Sequence, residues 1–230
     1  MRSVFVVGSK PEAVFPDCIE PDVVYAANGA LDRVQKYAKT AKIISVLSSY
    51  ILSSEISTAS KTRDIIAGSA ADKVVLLTNS AVKRDISLES LDIKYHEMIY
   101  ISPRDRTKLV ANQVGYYSSI RQVYRDGGLR SCIAGIYNFM FGRSVQPLKI
   151  SSGLLGMAIE LASTNSAQDI HLVGIGLNAN SGHFYDANKS YGRGHIDVDR
   201  FYLNVVAQRF STLNLSSDDS SISNVFNTYA

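Results

Sequence analysis

The chain has 230 residues, 46% of them hydrophobic and 20% charged, and a formal net charge of +3. This is the profile of a core-forming globular protein and excludes a disordered one; the length fits one large α/β domain, residues 1–230, with a small lid. The Lys and Arg are spread along the chain and the net charge is small, which argues against a nucleic-acid partner.

Two cysteines, Cys18 and Cys132, form neither a CxxC pair nor a disulfide framework, so a reducing compartment is expected. The N-terminal run is broken by Gly8 and does not read as a signal peptide. No apolar run approaches the roughly 20 residues of a spanning helix. The expectation is a cytoplasmic protein whose membrane contact, if any, is peripheral to the inner face.

In chain order, short apolar runs at 3–7, 23–27, 43–47, 74–77, 95–101 and 170–173 end in Gly, Asn or Ser. Five are rich in β-branched residues with little alternation, the pattern of strands covered on both faces, hence of a parallel sheet. Between them lie helix-length segments at 29–38, 53–68, 105–125 and 152–162. A second helix is expected near 132–141 after a turn at Gly127-Gly128, and another at 200–209. A short strand at 212–215, a polar turn and an amphipathic piece at 222–229 complete the chain. Alternating strands and helices predict a Rossmann-like, doubly wound, mainly parallel sheet.

Ligands of such sheets bind outside the carboxyl ends of the strands. Gly8-Ser9-Lys10-Pro11, Asn28-Gly29, Ser48-Ser49 and Asn79-Ser80 fall at those ends. Strand ends need turn residues in any case, but a rim of Asn and Ser also suits a hydrogen-bonding pocket.

The G-x-G-x-x-G and G-x-x-x-x-G-K-[ST] signatures are absent, which removes the main support for NAD and P-loop chemistry. No G-x-S-x-G elbow is present. Asp197-Val198-Asp199 has the D-x-D form of some metal-dependent sugar transferases, but Asp199 reads better as the N-cap of the helix after it. No metal ligand set is assigned. Ser152, beside Gly153 at a helix start, is either a plain N-cap or the seat of an anion at a positive helix end. His195 closes a Gly/Asn/Ser-rich loop at 178–193 and is either structural or a general base. Positioned bases contribute about 10²–10⁴ in rate.

Lys149-Ile150-Ser151-Ser152-Gly153, Gly174-Ile175-Gly176, Gly194-His195 and Asp199 follow one another in an order that resembles the small bacterial sialyltransferases, which use CMP-sialic acid. That family has a basic residue, Ile, Thr or Ser, then Ser-Gly before a small-residue helix. Gly-Ile-Asp after a strand, a lid and Gly-His follow. Gly8-Ser9-Lys10-Pro11 resembles its Gly-Asn-Gly-Pro turn, Asn28 matches its Asn after the second strand, and Ser48-Ser49 stands at its Asn-Pro-Ser.

The resemblance implies a variant of the GT-A type of fold, with a lid at about 178–194. It implies His195 as the base that deprotonates the acceptor, Ser152 on the donor sugar, and Asn28, Ser9, Ser48 and Asn79 around the cytidine nucleotide. Gly8, Gly153, Gly174 and Gly176 would shape the same donor site. Lys149 stands on the phosphate or acceptor side. The chain departs from the family at Gly176, where the family has Asp, and in a shorter lid. The family's two phosphate-binding tyrosines fall nearest Asn178 and His183, with Tyr185 and Tyr191 as substitutes.

The implied function is transfer of a 2-keto acid sugar from a CMP-sugar to a glycan or glycolipid acceptor, inverting and without a metal or other cofactor. Alternatives are a CMP-Kdo-type transferase, another nucleotide or phosphate-ester enzyme, and a non-catalytic binding module of surface-polysaccharide assembly. Self-association into a homo-oligomer is compatible with all of them.

Overall fold

A computed structural model describes residues 2–17, 19–78, 91–163, 169–177, 193–222 and 227–228. Its strands are β1 (Ser3–Val7), β2 (Val23–Ala27), β3 (Lys42–Ser48), β4 (Ala70–Leu77), β5 (Lys94–Ile101), β6 (Asp169–Val173), β7 (Asn214–Ser217) and β8 (Asn227–Thr228). They form one sheet in the order β5-β4-β3-β2-β1-β6-β7-β8, and every neighbouring pair is parallel. The chain winds outward from β1 to β5, then returns to the other side of β1 to build β6, β7 and β8. The fold class is therefore α/β, with its direction of winding reversing between β1 and β6.

The strand runs stand where β-branched residues cluster because both faces of the sheet are covered. All five residues of β2 are buried. The pleat divides β1 between two cores: Val4 and Val6 face one, Phe5 and Val7 the other. The first core is covered by α4 (Pro103–Val114), α6 (Ser152–Leu161) and α7 (Arg193–Arg209). The second is covered by α1 (Ala30–Tyr37) and α3 (Ser57–Ile66), together with Ile51 of the short helix α2 (Ser49–Ser53).

Several sequence-based boundaries need correction. The expected helix at 53–68 is α3, which starts only at Ser57 because the chain is extended at Ser54 and Ile56; the short helix α2 precedes it. The expected helix at 105–125 breaks at Gly115, whose φ of 86° a side chain would strain. Beyond it α5 (Tyr116–Met140) continues to the end of the second expected helix, kinked at Gly127 and Gly128. The expected helix at 200–209 begins about two turns earlier, at Arg193. The tail strand lies at Asn214–Ser217, a 3-10 turn at Ser220–Ile222 falls at the expected polar turn, and of the piece expected at 222–229 the described residues are Ile222 and β8.

A buried polar pin ties the three helices of the first face together. The Tyr202 hydroxyl of α7 donates to Gln113 Oε1 of α4 at 2.5 Å, and Gln113 Nε2 donates to the Ala158 carbonyl of α6 at 2.5 Å. Tyr202 has no exposed surface, so the pin fixes α7 relative to α4 and α6 in a dry environment where each bond is costly to lose.

Candidate active site

A cavity of about 610 Å³ opens at the carboxyl ends of the strands, over the reversal between β1 and β6, where open α/β sheets bind ligands. Its floor depends on Gly8, the residue after β1. A Cβ at that position would lie 2.5 Å from the Gly174 carbonyl oxygen and 2.8 Å from Ile175 Cγ1, so no larger residue fits. The Gly8 N–H donates to Val173 and the Lys10 N–H to Gly174, joining the two strand ends.

The cavity gathers most of the predicted site. Gly8, Ser9, Asn28, Ser48, Lys149, Ser152, Gly153, Gly176 and His195 all line it. Gly174 does not; it has φ of 63°, and its N–H donates to both Asp218 carboxylate oxygens at 2.9 and 3.0 Å. Its work is to turn the chain. Lys10 is also outside the lining, tied to Asp219 at 2.8 Å. Asn79, Asn178, His183, Tyr185 and Tyr191 lie outside the described residues, as does nearly all of the expected lid.

Asn28 sits in the left-handed region, with φ of 50°, and its Oδ1 accepts from the Ser48 N–H at 3.0 Å. The acceptor end of the amide thus braces β2 against β3, and its NH₂ is what the side chain can offer a ligand. At the start of α6 the N-cap is Ser151, whose Oγ accepts from Leu154 N–H at 3.4 Å. Ser152 is therefore the first helical residue rather than a cap. Its hydroxyl and the free N–H groups of the first turn stand at the positive end of a ten-residue helix facing the cavity.

Asp199 is not the N-cap expected of it. It lies inside α7, buried, and accepts from the Ser151 N–H at 2.8 Å. Burial pushes its carboxyl up to about 7, although backbone and side-chain hydrogen bonds from Ser151 pull the other way. The two acids of the D-x-D part company: Asp197 is exposed and faces Arg200 at 3.6 Å. Among the described residues no cluster of three metal-ligating side chains forms.

His195 is in the first turn of α7, with surface open at the cavity's edge. Crowding by its surroundings, then the Lys149 ammonium, lowers its imidazole below the ordinary value; a hydrogen bond to the Lys149 backbone works against this, and the Arg106 charge adds to it. The net effect keeps His195 neutral at pH 7. The backbone bond occupies one ring nitrogen as donor, which leaves the other as acceptor.

Arg106 was not among the predicted residues. It lines the cavity from the first turns of α4, is 7% exposed, and pairs with no carboxylate among the described residues. Burial lowers its guanidinium below the usual value. Burial, with the Arg106 charge, does the same to the Lys149 ammonium. Two cations are thus held where each makes the other less stable, an arrangement that an anion in the cavity would relieve. Its signal was readable: Pro103, Arg106, Thr107, Val110 and Val114 share the buried stripe of α4. Spacing of three and four residues places Arg106 on the core face, between exposed Arg104 and Lys108.

No protein-family model matches the chain, and no curated protein does. Among solved structures, at a distance that bears on no chemistry, the chain is similar to the sialyltransferase CstII from Campylobacter jejuni in complex with a substrate analogue, cytidine-5'-monophosphate, with a TM-score of 0.49 and 13% identity over 100% of this chain and 86% of that one.

Proposed function

We propose that the protein is a glycosyltransferase that moves a 2-keto acid sugar from a CMP-sugar to a hydroxyl of a glycan acceptor. The observation that carries this reading is the meeting, in one cavity, of a neutral histidine with two cations that lack a carboxylate partner among the described residues. The donor class comes from the resemblance within residues 149–199.

The chemistry follows from charge. As the bond from the sugar's anomeric carbon to the phosphate oxygen breaks, CMP leaves with an extra negative charge. Arg106, Lys149 and the N-terminus of α6 would receive it, a preorganised arrangement that acts where charge develops. As the acceptor oxygen bonds to the anomeric carbon, its proton passes to the free ring nitrogen of His195. Attack on the face opposite the leaving group inverts the centre. Fixed cations take the part that a divalent ion plays elsewhere, so the reaction is read as metal-independent. Asn28, Ser9 and Ser48 border the nucleoside side. No described helix is long and apolar enough to cross a membrane; with Cys132 a free thiol, a cytoplasmic setting suits this reading.

Calorimetry with CMP, UMP, GDP and NAD tests the donor, and CMP release from CMP-sialic acid and CMP-Kdo tests the reaction. CMP should bind most tightly, and one of the two donors should turn over. Tighter binding of another nucleotide overturns the donor class; CMP binding with no release from either donor leaves a binding module.

A further inference from the structure

Ten of the fifteen large hydrophobic side chains exposed among the described residues fall between Tyr116 and Phe141, on or just past α5, each 51% to 79% exposed. Singly exposed apolar residues are ordinary; two thirds of them on a single element are not. The helix packs chiefly on α4 and the 3-10 turn Gln146–Leu148, and buries only Ser119 and Val123 fully.

The outward side chains are ordered. Before the kink, Tyr116, Ile120 and Tyr124 stand four residues apart in one row, and Tyr117, Arg121 and Arg125 stand in the row beside it, all exposed. After the kink, Leu129, Ile133, Ile136, Tyr137 and Met140 are exposed as well, at the three- and four-residue spacing of one helix face, with Arg130 also exposed. The helix carries three Arg and a single acid, Asp126. Large apolar side chains with tyrosines and a row of arginines match an element that lies in a lipid headgroup layer. The helix cannot cross a membrane.

We infer that α5 is a membrane-surface helix that docks on anionic lipid. Charge decides against a second copy of the chain: a two-fold contact through this face would set three arginines against three others with one acid on each side. Anionic headgroups complement the row without that cost. The exposed run ends at Phe141, three residues before Ser144 of the cavity wall, so docking holds that wall within about 10 Å of the helix's end. The inference does not depend on the donor, because lipid binding is read without any sugar nucleotide.

Flotation of the full chain with vesicles of phosphatidylcholine, or of phosphatidylcholine and phosphatidylglycerol in equal parts, tests it. Wild type should float with the anionic vesicles, far less with the neutral ones, and less in high salt. Arg121→Gln with Arg125→Gln should weaken partitioning roughly 25-fold, about fivefold per cation; Ile133→Glu with Ile136→Glu should abolish it, with unchanged circular dichroism. The chain has no Trp, so Tyr124→Trp supplies a single fluorophore whose emission should shift to the blue on anionic vesicles alone. Equal flotation with both vesicles, or no blue shift, overturns the inference. So does a dimer in sedimentation velocity that Ile133→Glu with Ile136→Glu dissociates while anionic vesicles bind nothing.

Discussion

Arg2 and Arg106 stand toward opposite ends of the same helix, α6, and have opposite surroundings. Arg2 precedes β1 and meets Glu160 near the C-terminus of α6, at 3.1 and 3.2 Å. Glu160 is fully buried and also accepts from the Tyr25 hydroxyl at 3.0 Å; burial and that carboxylate together raise the Tyr25 phenol's affinity for its proton. Arg106 lies by the N-terminus of α6, with another cation for a neighbour and no carboxylate partner among the described residues. A buried charge with its counterion in place belongs to the fold. A buried charge whose counterion is missing from the described residues belongs to a ligand.

The sharpest break in that comparison is at the base. His195→Ala should lower kcat by about 10²–10⁴ and leave CMP affinity and the urea midpoint unchanged; unchanged turnover would remove the base from the scheme. Next, Arg106→Met should weaken CMP about 10- to 100-fold, the loss of a charge-assisted hydrogen bond. The folded state should be no less stable in urea, since a buried cation is removed.

Glu160→Ala should do the reverse. A fully buried pair costs about 3–5 kcal/mol to break, and with Arg2 side chain 34% exposed the loss should be nearer 2 kcal/mol, read in urea, with CMP binding retained. If Arg106→Met unfolds the protein as readily as Glu160→Ala, the contrast fails. The smallest effect is on pH. His195 must be neutral to accept a proton, so activity should fall as pH drops through its lowered value. Lys149→Met removes a neighbouring positive charge, and the imidazole should rise toward its ordinary value. The acid limb of kcat/KM should therefore move to higher pH, whereas a Lys149 remote from His195 would leave it in place.

Much of this was legible before any coordinates. The strands were readable because parallel strands covered on both faces are nearly continuous apolar runs with β-branched residues among them, as Val23–Ala27 and Lys42–Ser48 are. Gly8, Ser9, Asn28, Ser48 and Gly176 meet in the cavity because a strand's carboxyl end in such a sheet is also its rim. What escaped notice lies where two signals compete. Arg106 stands between Arg104 and Lys108 in sequence, yet the helical period puts it inside while its two neighbours are exposed. Asp199 reads as a cap because it immediately precedes the helical run at 200–209, whereas packing of Ile196, Val198 and Tyr202 into the core carries the helix back to Arg193. Ser151 and Ser152 are alike in chemistry, and only the hydrogen bond to Leu154 shows which one caps.

The Tyr202–Gln113 pin gives the histidine the mechanics of a lever. His195 rides at one end of α7 and the fulcrum lies seven residues deeper, about 10 Å along the axis at 1.5 Å per residue. The Asp199–Ser151 bond and the His195 bond to the Lys149 backbone steady the arm between fulcrum and tip. Tyr202 lies outside the cavity lining, so on the proposed scheme Tyr202→Phe should shift kcat more than nucleotide affinity.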